Sequence, residues 1–399
     1  MSRYTNLTTA PPDPILGITE IFKADPRPDK VNLGIGVYQD DTGKLPLMEC
    51  VRRAEERLTL EASPRGYLPQ EGDRSYDALT RSLVFGADSP QVAAGKIVTV
   101  QALGGTGALK LGADFWHPLF PDATVLISQP TWDNHMAVFG SAGFRVARYR
   151  YYDAAHRGID YAGMMDDLSA AAPGTIVVLH TCCHNPTGYD LSLAQWGEVL
   201  DLVTDHGLLP FFDLAYQGLA ESLDADPYPV REAARRGLDF CCASSNSKNL
   251  GLYGERIGAL SVSCADADEG ARVVSQVKLS VRANYSNPPT HGEAIAATVL
   301  GDPELRALWT DEVAAMRDRI KAMRIGLVAA LQAAGLDADL GFITAQRGMF
   351  SYSGLTPEQM TRLRDEWGVY GVIANGRLCV AALNPGNLDY VAQAIKAVW

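Results

Sequence analysis

Four short, almost wholly apolar runs, separated by helix-like stretches, set the tightest limit on what this chain can fold into. They are Ile97-Val98-Thr99-Val100, Thr124-Val125-Leu126-Ile127, Thr175-Ile176-Val177-Val178-Leu179-His180 and Leu208-Leu209-Pro210-Phe211-Phe212-Asp213. A strand that faced water on one side would alternate apolar with polar residues. These do not, so they are expected in a mostly parallel sheet covered on both faces. Ala108 to Trp116, Trp132 to Ser141 and Leu193 to His206 read as the covering helices. Gly237 to Ala243 reads as one more short buried strand.

Elsewhere the pattern changes. Asp311 to Ala334 keeps three-four spacing through Val313, Met316, Ile320, Met323, Leu327 and Leu331, with Gly335 as a C′ stop. One long amphipathic helix is expected there, joining the α/β lobe to a smaller C-terminal lobe. That lobe should hold a strand at Gly348–Tyr352, a helix at Pro357–Trp367, a strand at Leu378–Ala381 and a final helix. At the other end, residues 1–13 are polar and close in Pro11-Pro12-Asp13, an arm rather than core. Ile15 to Ala24 has helical spacing, and Val31 to Tyr38 is strand-like with glycines at 34 and 36. Glycine there admits a ligand close to the backbone, or marks a bulge. Arg52 to Glu61 reads as a charged helix, followed by a loop from Arg65 to Gly72.

With 399 residues, 47% of them hydrophobic and 21% charged, the chain can bury a large core, and disorder is excluded. A net charge of −12 argues against nucleic acid, whose phosphates need a basic face. It leaves room for a small anionic substrate in a locally cationic site. Seven cysteines, two adjacent pairs among them and no Cys-x-x-Cys, point to free thiols in a reducing compartment. No apolar run is long enough for a membrane span, and the first residues lack a secretory apolar stretch, so a cytoplasmic location is expected.

The chemistry gathers around Ser244-Ser245-Asn246-Ser247-Lys248-Asn249-Leu250-Gly251-Leu252-Tyr253-Gly254-Glu255-Arg256. Lys248 lies just past a strand end. Burial and nearby cations make such an amine easier to deprotonate, as attack on a carbonyl to form an imine requires. The serines and Arg256 suit a phosphate. Together they suggest pyridoxal 5′-phosphate; an ordinary loop lysine beside a structural arginine is the alternative. Gly104-Gly105-Thr106-Gly107-Ala108 opens a helix and offers N–H groups to a phosphate. It is neither Gly-x-Gly-x-x-Gly nor a Walker loop, so nucleotide binding loses ground. Asp213, at a strand end facing the expected ligand crevice, could hold a pyridine nitrogen protonated or cap a helix. Tyr216 could reach a phenolic oxygen. His180-Thr181-Cys182-Cys183-His184-Asn185-Pro186-Thr187-Gly188 invites a metal reading. Adjacent cysteines diverge, however, and no second ligand cluster has metal spacing, so no metal is expected. Arg282, within Ser280–Pro289, and Arg377 could clamp carboxylates or form surface salt bridges.

These residues resemble the fold type I aminotransferases, and within them the aspartate and aromatic amino-acid aminotransferases. The resemblance rests on Ser-x-Ser-Lys-Asn-x-Gly-Leu-Tyr-x-Glu-Arg at 245–256, Cys-Cys-His-Asn-Pro-Thr-Gly at 182–188, Asp213-Leu214-Ala215-Tyr216-Gln217-Gly218, Arg282 to Pro289, and Gln346 to Ser351, in order along nearly the whole chain. It implies an α/β protein of the pyridoxal-phosphate transferase fold type I. A large domain at 46–312 would carry a mostly parallel seven-stranded sheet. A smaller α+β domain would combine 14–45 with 313–399, and 1–13 would be an arm. Lys248 would carry the cofactor as an imine and later shuttle the proton at substrate Cα. Asp213 would pair with the pyridine nitrogen, Asn185 and Tyr216 with the phenolic oxygen, and Trp132 would stack on the ring with His135 close by. Gly105, Thr106, Ser245, Ser247 and Arg256 would hold the phosphate, joined by Tyr67 of a neighbouring subunit. Arg377 would clamp the α-carboxylate, and Arg282 of the neighbour a distal carboxylate. Trp132 and Asn185 would also border the substrate, and Gly36 would let the N-terminal segment close over it. A homodimer with shared sites is implied, acting on amino acids and 2-oxo acids.

The sequence departs from the family pattern at several positions. Thr181 and Gly254 replace common glycine and asparagine. Gln39, Leu45 and Gly66 make the entrance less cationic and less polar than in aspartate-preferring relatives, which favours an aromatic side chain. The expected activity is transfer of an amino group from an aromatic, and also an acidic, L-amino acid to 2-oxoglutarate, by a ping-pong cycle. Aspartate preference is the runner-up, then a β-lyase or decarboxylase of the same fold. A DNA-binding regulator would need a basic helix-turn-helix segment that the sequence does not contain.

Overall fold

The computed structural model describes residues 2–10 and 16–399. The end of the expected arm and the Ile15 start of the first expected helix fall outside them. The core is one seven-stranded sheet: β1 (Ile97–Leu103), β2 (Thr124–Gln129), β3 (Arg145–Arg150), β4 (Ile176–His180), β5 (Leu209–Leu214), β6 (Cys241–Ser245) and β7 (Ile257–Ser263). Their order is β1-β7-β6-β5-β4-β2-β3. All neighbours are parallel except β7, which runs antiparallel to both β1 and β6.

Successive strand residues point to opposite faces. On β4, Ile176 and Val178 enter one hydrophobic core while Val177 and Leu179 enter the other. Phe211 and Phe212 on β5 divide in the same way, as do Cys241 and Cys242 on β6. Both cores are sealed by helices, which is why the strands carry no polar alternation. Among the helices are α1 (Leu16–Ala24), α2 (Arg74–Phe85), α3 (Gly104–Trp116), α4 (Asn134–Ser141), α5 (Leu193–Asp205), α6 (Ala267–Asn284) and α7 (Pro303–Ala333). Helix α3 lies tight on the sheet: a Cβ at Gly112 would come within 2.5 Å of the Phe211 ring.

Because β7 is antiparallel to both its neighbours, β1 and β6 run the same way. The C-terminal ends of β1, β2, β4, β5 and β6 therefore share one edge, the edge at which α/β sheets bind ligands.

Several elements differ from expectation. Helix α3 begins at Gly104, not Ala108, because the glycine turn is itself wound into the first helical turn. Helix α4 begins at Asn134 and leaves Trp132 in the preceding loop. Helix α7 starts at Pro303, not Asp311: Asp302 caps it by accepting from Leu305 N–H at 2.9 Å, and Leu305 and Trp309 extend the buried stripe. Of Val31–Tyr38, Val31–Asn32 alone is strand, paired parallel to Val369–Tyr370. The C-terminal strands shorten to Phe350–Tyr352 and Arg377–Cys379, paired antiparallel, and Val380–Ala382 forms a 3₁₀ turn.

Candidate active site

The sheet edge opens into a cavity of about 310 Å³. Lys248, Asp213, Tyr216, Asn185, Trp132, Gly105, Thr106, Ser245, Ser247, Arg256, Gly36 and Arg377 all line it. Two exposed residues do not. Tyr67 (95% exposed) and Arg282 border a separate hollow with Arg65, Gly66 and Asn287.

Lys248 follows β6, and its Nζ lies 4.8 Å from the centre of the Tyr216 ring. Burial, aided by Arg256 and Arg377, brings its amine down to about 8 against the opposing pull of Asp213. Asp213 sits on β5, beside β6 in the sheet, and is itself buried. Burial pushes its carboxyl up, but a 3.1 Å hydrogen bond from His135 Nε2, with His180 and Lys248 nearby, outweighs this and holds it below the ordinary carboxylate value.

Behind Asp213 runs a buried relay. His135 Nδ1 lies 2.8 Å from Thr131 Oγ1, which lies 3.2 Å from His180 Nε2. In the neutral ring, donation from His135 Nε2–H to Asp213 leaves Nδ1 to accept from the Thr131 hydroxyl, whose oxygen can then accept from His180. Burial pushes His180 down to about 3, so it is neutral in this chain of bonds. His184 is occupied otherwise, by Ser128 at 2.9 Å and Thr187 at 2.8 Å.

One part of the cavity is an anion cradle. Leu103 gives α3 no side-chain cap, so the N–H groups of its first turn are free of a side-chain partner. Gly104 has φ +67°, and a Cβ there would stand 2.6 Å from Arg256 Nη2. With that left-handed φ, glycine is the residue that fits there without moving the guanidinium. Arg256 Nη1 donates to the Tyr253 carbonyl at 2.9 Å and to Ser247 Oγ at 3.4 Å. Ser245 Oγ accepts from Ser247 N–H at 3.2 Å.

A second cation serves the cavity. Arg377 is 3% exposed and packs 4.2 Å from the centre of the Phe350 ring. Its Nη2 donates to the Gly34 carbonyl at 2.7 Å and its Nη1 to Asn185 Oδ1 at 3.2 Å. Its buried Nε has no partner. An unspent guanidinium donor is costly unless something accepts from it, and a carboxylate is the natural acceptor. Asn185 Nδ2 in turn donates to the Tyr216 hydroxyl at 3.4 Å. Gly36 lies against Phe350, and Tyr38 N–H donates to Tyr253 OH at 3.1 Å, so segment 34–38 roofs the cavity.

A phosphorylated pyridine aldehyde fits these residues: cradle for the phosphate, ionised Asp213 for a ring nitrogen, two donors for a phenolic oxygen, and an amine for the aldehyde. Sequence reading did not give Thr131 or Phe350 a role, and it met His180 only as a metal candidate. The position of His180 at the end of β4, parallel to that of Asp213 on β5, was the available signal.

The Aminotransferase class I and II family profile matches residues 28–395. The chain is 53% identical over 398 residues to the aspartate aminotransferase of Pseudomonas aeruginosa, covering 100% of both. It is 47% identical over 389 residues to the aromatic-amino-acid aminotransferase of Escherichia coli, covering 97% of each. Its fold overlays the aromatic-amino-acid aminotransferase from Burkholderia pseudomallei, solved covalently bound to pyridoxal phosphate, with TM-score 0.97, 57% identity and 100% coverage of both chains.

Proposed function

This chain belongs to the class I and II aminotransferases, and from that premise we propose that it moves the amino group of an aromatic, and also of an acidic, L-amino acid to 2-oxoglutarate. It is a pyridoxal 5′-phosphate enzyme. One observation carries the reading: Lys248, Asp213, the uncapped start of α3 with Arg256, and a buried Arg377 whose Nε has no partner all converge on the same cavity.

When bound, the cofactor supplies an electron sink that weakens the Cα–H bond of an attached amino acid. Lys248 would hold it and then move the proton at Cα, since an amine brought down to about 8 has a usable neutral fraction near neutral pH. Asp213, kept ionised by His135, would hold the ring nitrogen in its protonated state. Asn185 and Tyr216 would donate to the phenolic oxygen, and Trp132 would cover the ring face. Gly105, Thr106, Ser245, Ser247 and Arg256 would bind the phosphate. Arg377 would turn its free Nε toward the substrate α-carboxylate, with Asn185 beside it. The segment around Gly36 would exclude water.

Tyr67 and Arg282 are assigned to the site of a second copy in a two-fold homodimer; their exposure in a common hollow supports this. Nothing lies within 4 Å of a Cβ at Gly66, beside them, which leaves room for an aromatic side chain. Aspartate preference is the second reading, supported by the similarity to the Pseudomonas enzyme. We take 46–312 as the cofactor-binding unit and 14–45 with 313–399 as the smaller one, supported by the pairing of Val31–Asn32 with Val369–Tyr370. Seven buried free cysteines support a cytoplasmic location, and no helix among the described residues is long and apolar enough to cross a membrane.

Borohydride reduction of reconstituted protein should trap an adduct on Lys248, and Lys248→Ala should lose the visible band and about 10⁴-fold in turnover. An adduct on another amine, or turnover retained by the variant, refutes the assignment. A panel of amino donors compared by kcat/KM with 2-oxoglutarate separates aromatic from aspartate preference.

A further inference from the structure

Two buried asparagines flank Lys248 without lining its cavity. Asn246 lies two residues before it and Asn249 immediately after. From α2, the Tyr76 hydroxyl donates to Asn246 Oδ1 at 2.8 Å. Asn246 Nδ2 donates to Asn249 Oδ1 at 3.3 Å, and Asn249 Nδ2 donates to the Gln217 carbonyl at 3.3 Å, one residue beyond Tyr216. Gln217 Nε2 then donates to the Leu83 carbonyl at 3.2 Å, which returns the path to α2. Trp309 of α7 adds a bond from its indole N–H to the Asn249 carbonyl at 2.6 Å. The result is a chain of buried hydrogen bonds that leaves α2 at Tyr76, passes both sides of the lysine, and returns to α2 at Leu83.

Tyr76 is 0% exposed. A phenol hydroxyl inside a core is tolerated where it is bonded, and this one is bonded to the lysine loop. We propose that Tyr76 is a positioning residue for the transamination amine: through Asn246 and Asn249 it fixes the backbone on both sides of Lys248. The inference rests on the reading of Lys248 as the cofactor-bearing group. Substrate is held by arginines on other elements, so a loosened lysine loop should slow proton transfer while leaving substrate binding nearly intact.

The test compares wild-type holoenzyme with Tyr76→Phe, Asn246→Ala and the double variant. Borohydride trapping on Lys248 of the wild type comes first. Its absence overturns the functional reading and this inference together, before any variant is assayed. Given the adduct, Tyr76→Phe is expected to lower kcat about 10-fold with KM for phenylalanine within about twofold, and to change the induced circular dichroism of the cofactor's visible band. Asn246→Ala should reproduce the loss, and the double variant should be no worse than Asn246→Ala alone. A Tyr76→Phe protein that melts earlier but keeps wild-type kcat and dichroism overturns the inference and leaves the aminotransferase reading standing. Additive losses in the double variant overturn it as well.

Discussion

Lys248, the proposed point of attachment, is first a titrating group, and its environment can be measured in cofactor-free protein. Its ordinary value of 10.5 falls to about 8 in the fold. Between those values the unfolded chain binds more protons than the folded one, so stability rises with pH through that window. Below about 8 the folded chain carries the full penalty of a buried ammonium, worth up to about 3 kcal/mol. Lys248→Met should therefore stabilise the cofactor-free chain near neutral pH, with the advantage shrinking as pH climbs past about 8 toward the ordinary lysine value. Urea titrations of both proteins across that range check it; a constant difference would mean that the amine is not perturbed. Lys248, Asp213 and Asn185 were legible in the sequence because each follows an apolar run that had to be a strand. The Thr131–His135–His180 relay was not, because it joins residues from a loop, a helix and a strand through contacts that exist only after folding.

Helix α3 makes the cradle, and Gly104 is its weakest link. An alanine there would have to hold φ near +67° and place a methyl group 2.6 Å from the Arg256 guanidinium. Gly104→Ala should weaken cofactor binding by at least tenfold, roughly 1.4 kcal/mol, with little change in fold; equilibrium dialysis of the cofactor against the variant measures it. Equal affinity would show that Arg256 moves freely. Sequence periodicity found the helix but not its true start, since glycines read as a turn whether or not a helix begins within them. Strands β3 and β7 carry weaker signals in the sequence. At an edge of the sheet, β3 is Arg145-Val146-Ala147-Arg148-Tyr149-Arg150, whose arginines give no apolar run. Strand β7 is Ile257-Gly258-Ala259-Leu260-Ser261-Val262-Ser263, whose glycine and serines interrupt its apolar residues directly behind the lysine motif.

The molecule as a whole raises the question of how Arg282 and Tyr67 act, since both stand outside the cavity of their own chain. Shared sites in a dimer make a strong test. Arg282→Leu should depress aspartate use far more than phenylalanine use, because only the former brings a second carboxylate. Mixing Lys248→Ala with Arg282→Leu subunits should then restore aspartate turnover, since each heterodimer assembles one site with an intact lysine and an intact partner arginine. No recovery after subunit exchange would place Arg282 outside the site. The proposed two-chain arrangement rests on family resemblance; spacing within one chain cannot tell a partner's residue from a surface one. The antiparallel turn of β7 has a quieter consequence. The lysine segment leaves the sheet at Ser245 and rejoins it beside that point, with Ser245 registered against Gly258, so the reactive amine is stapled at both ankles. Heat that parts those two strands would free both ends of the lysine loop at once, so catalytic power should not outlast the sheet.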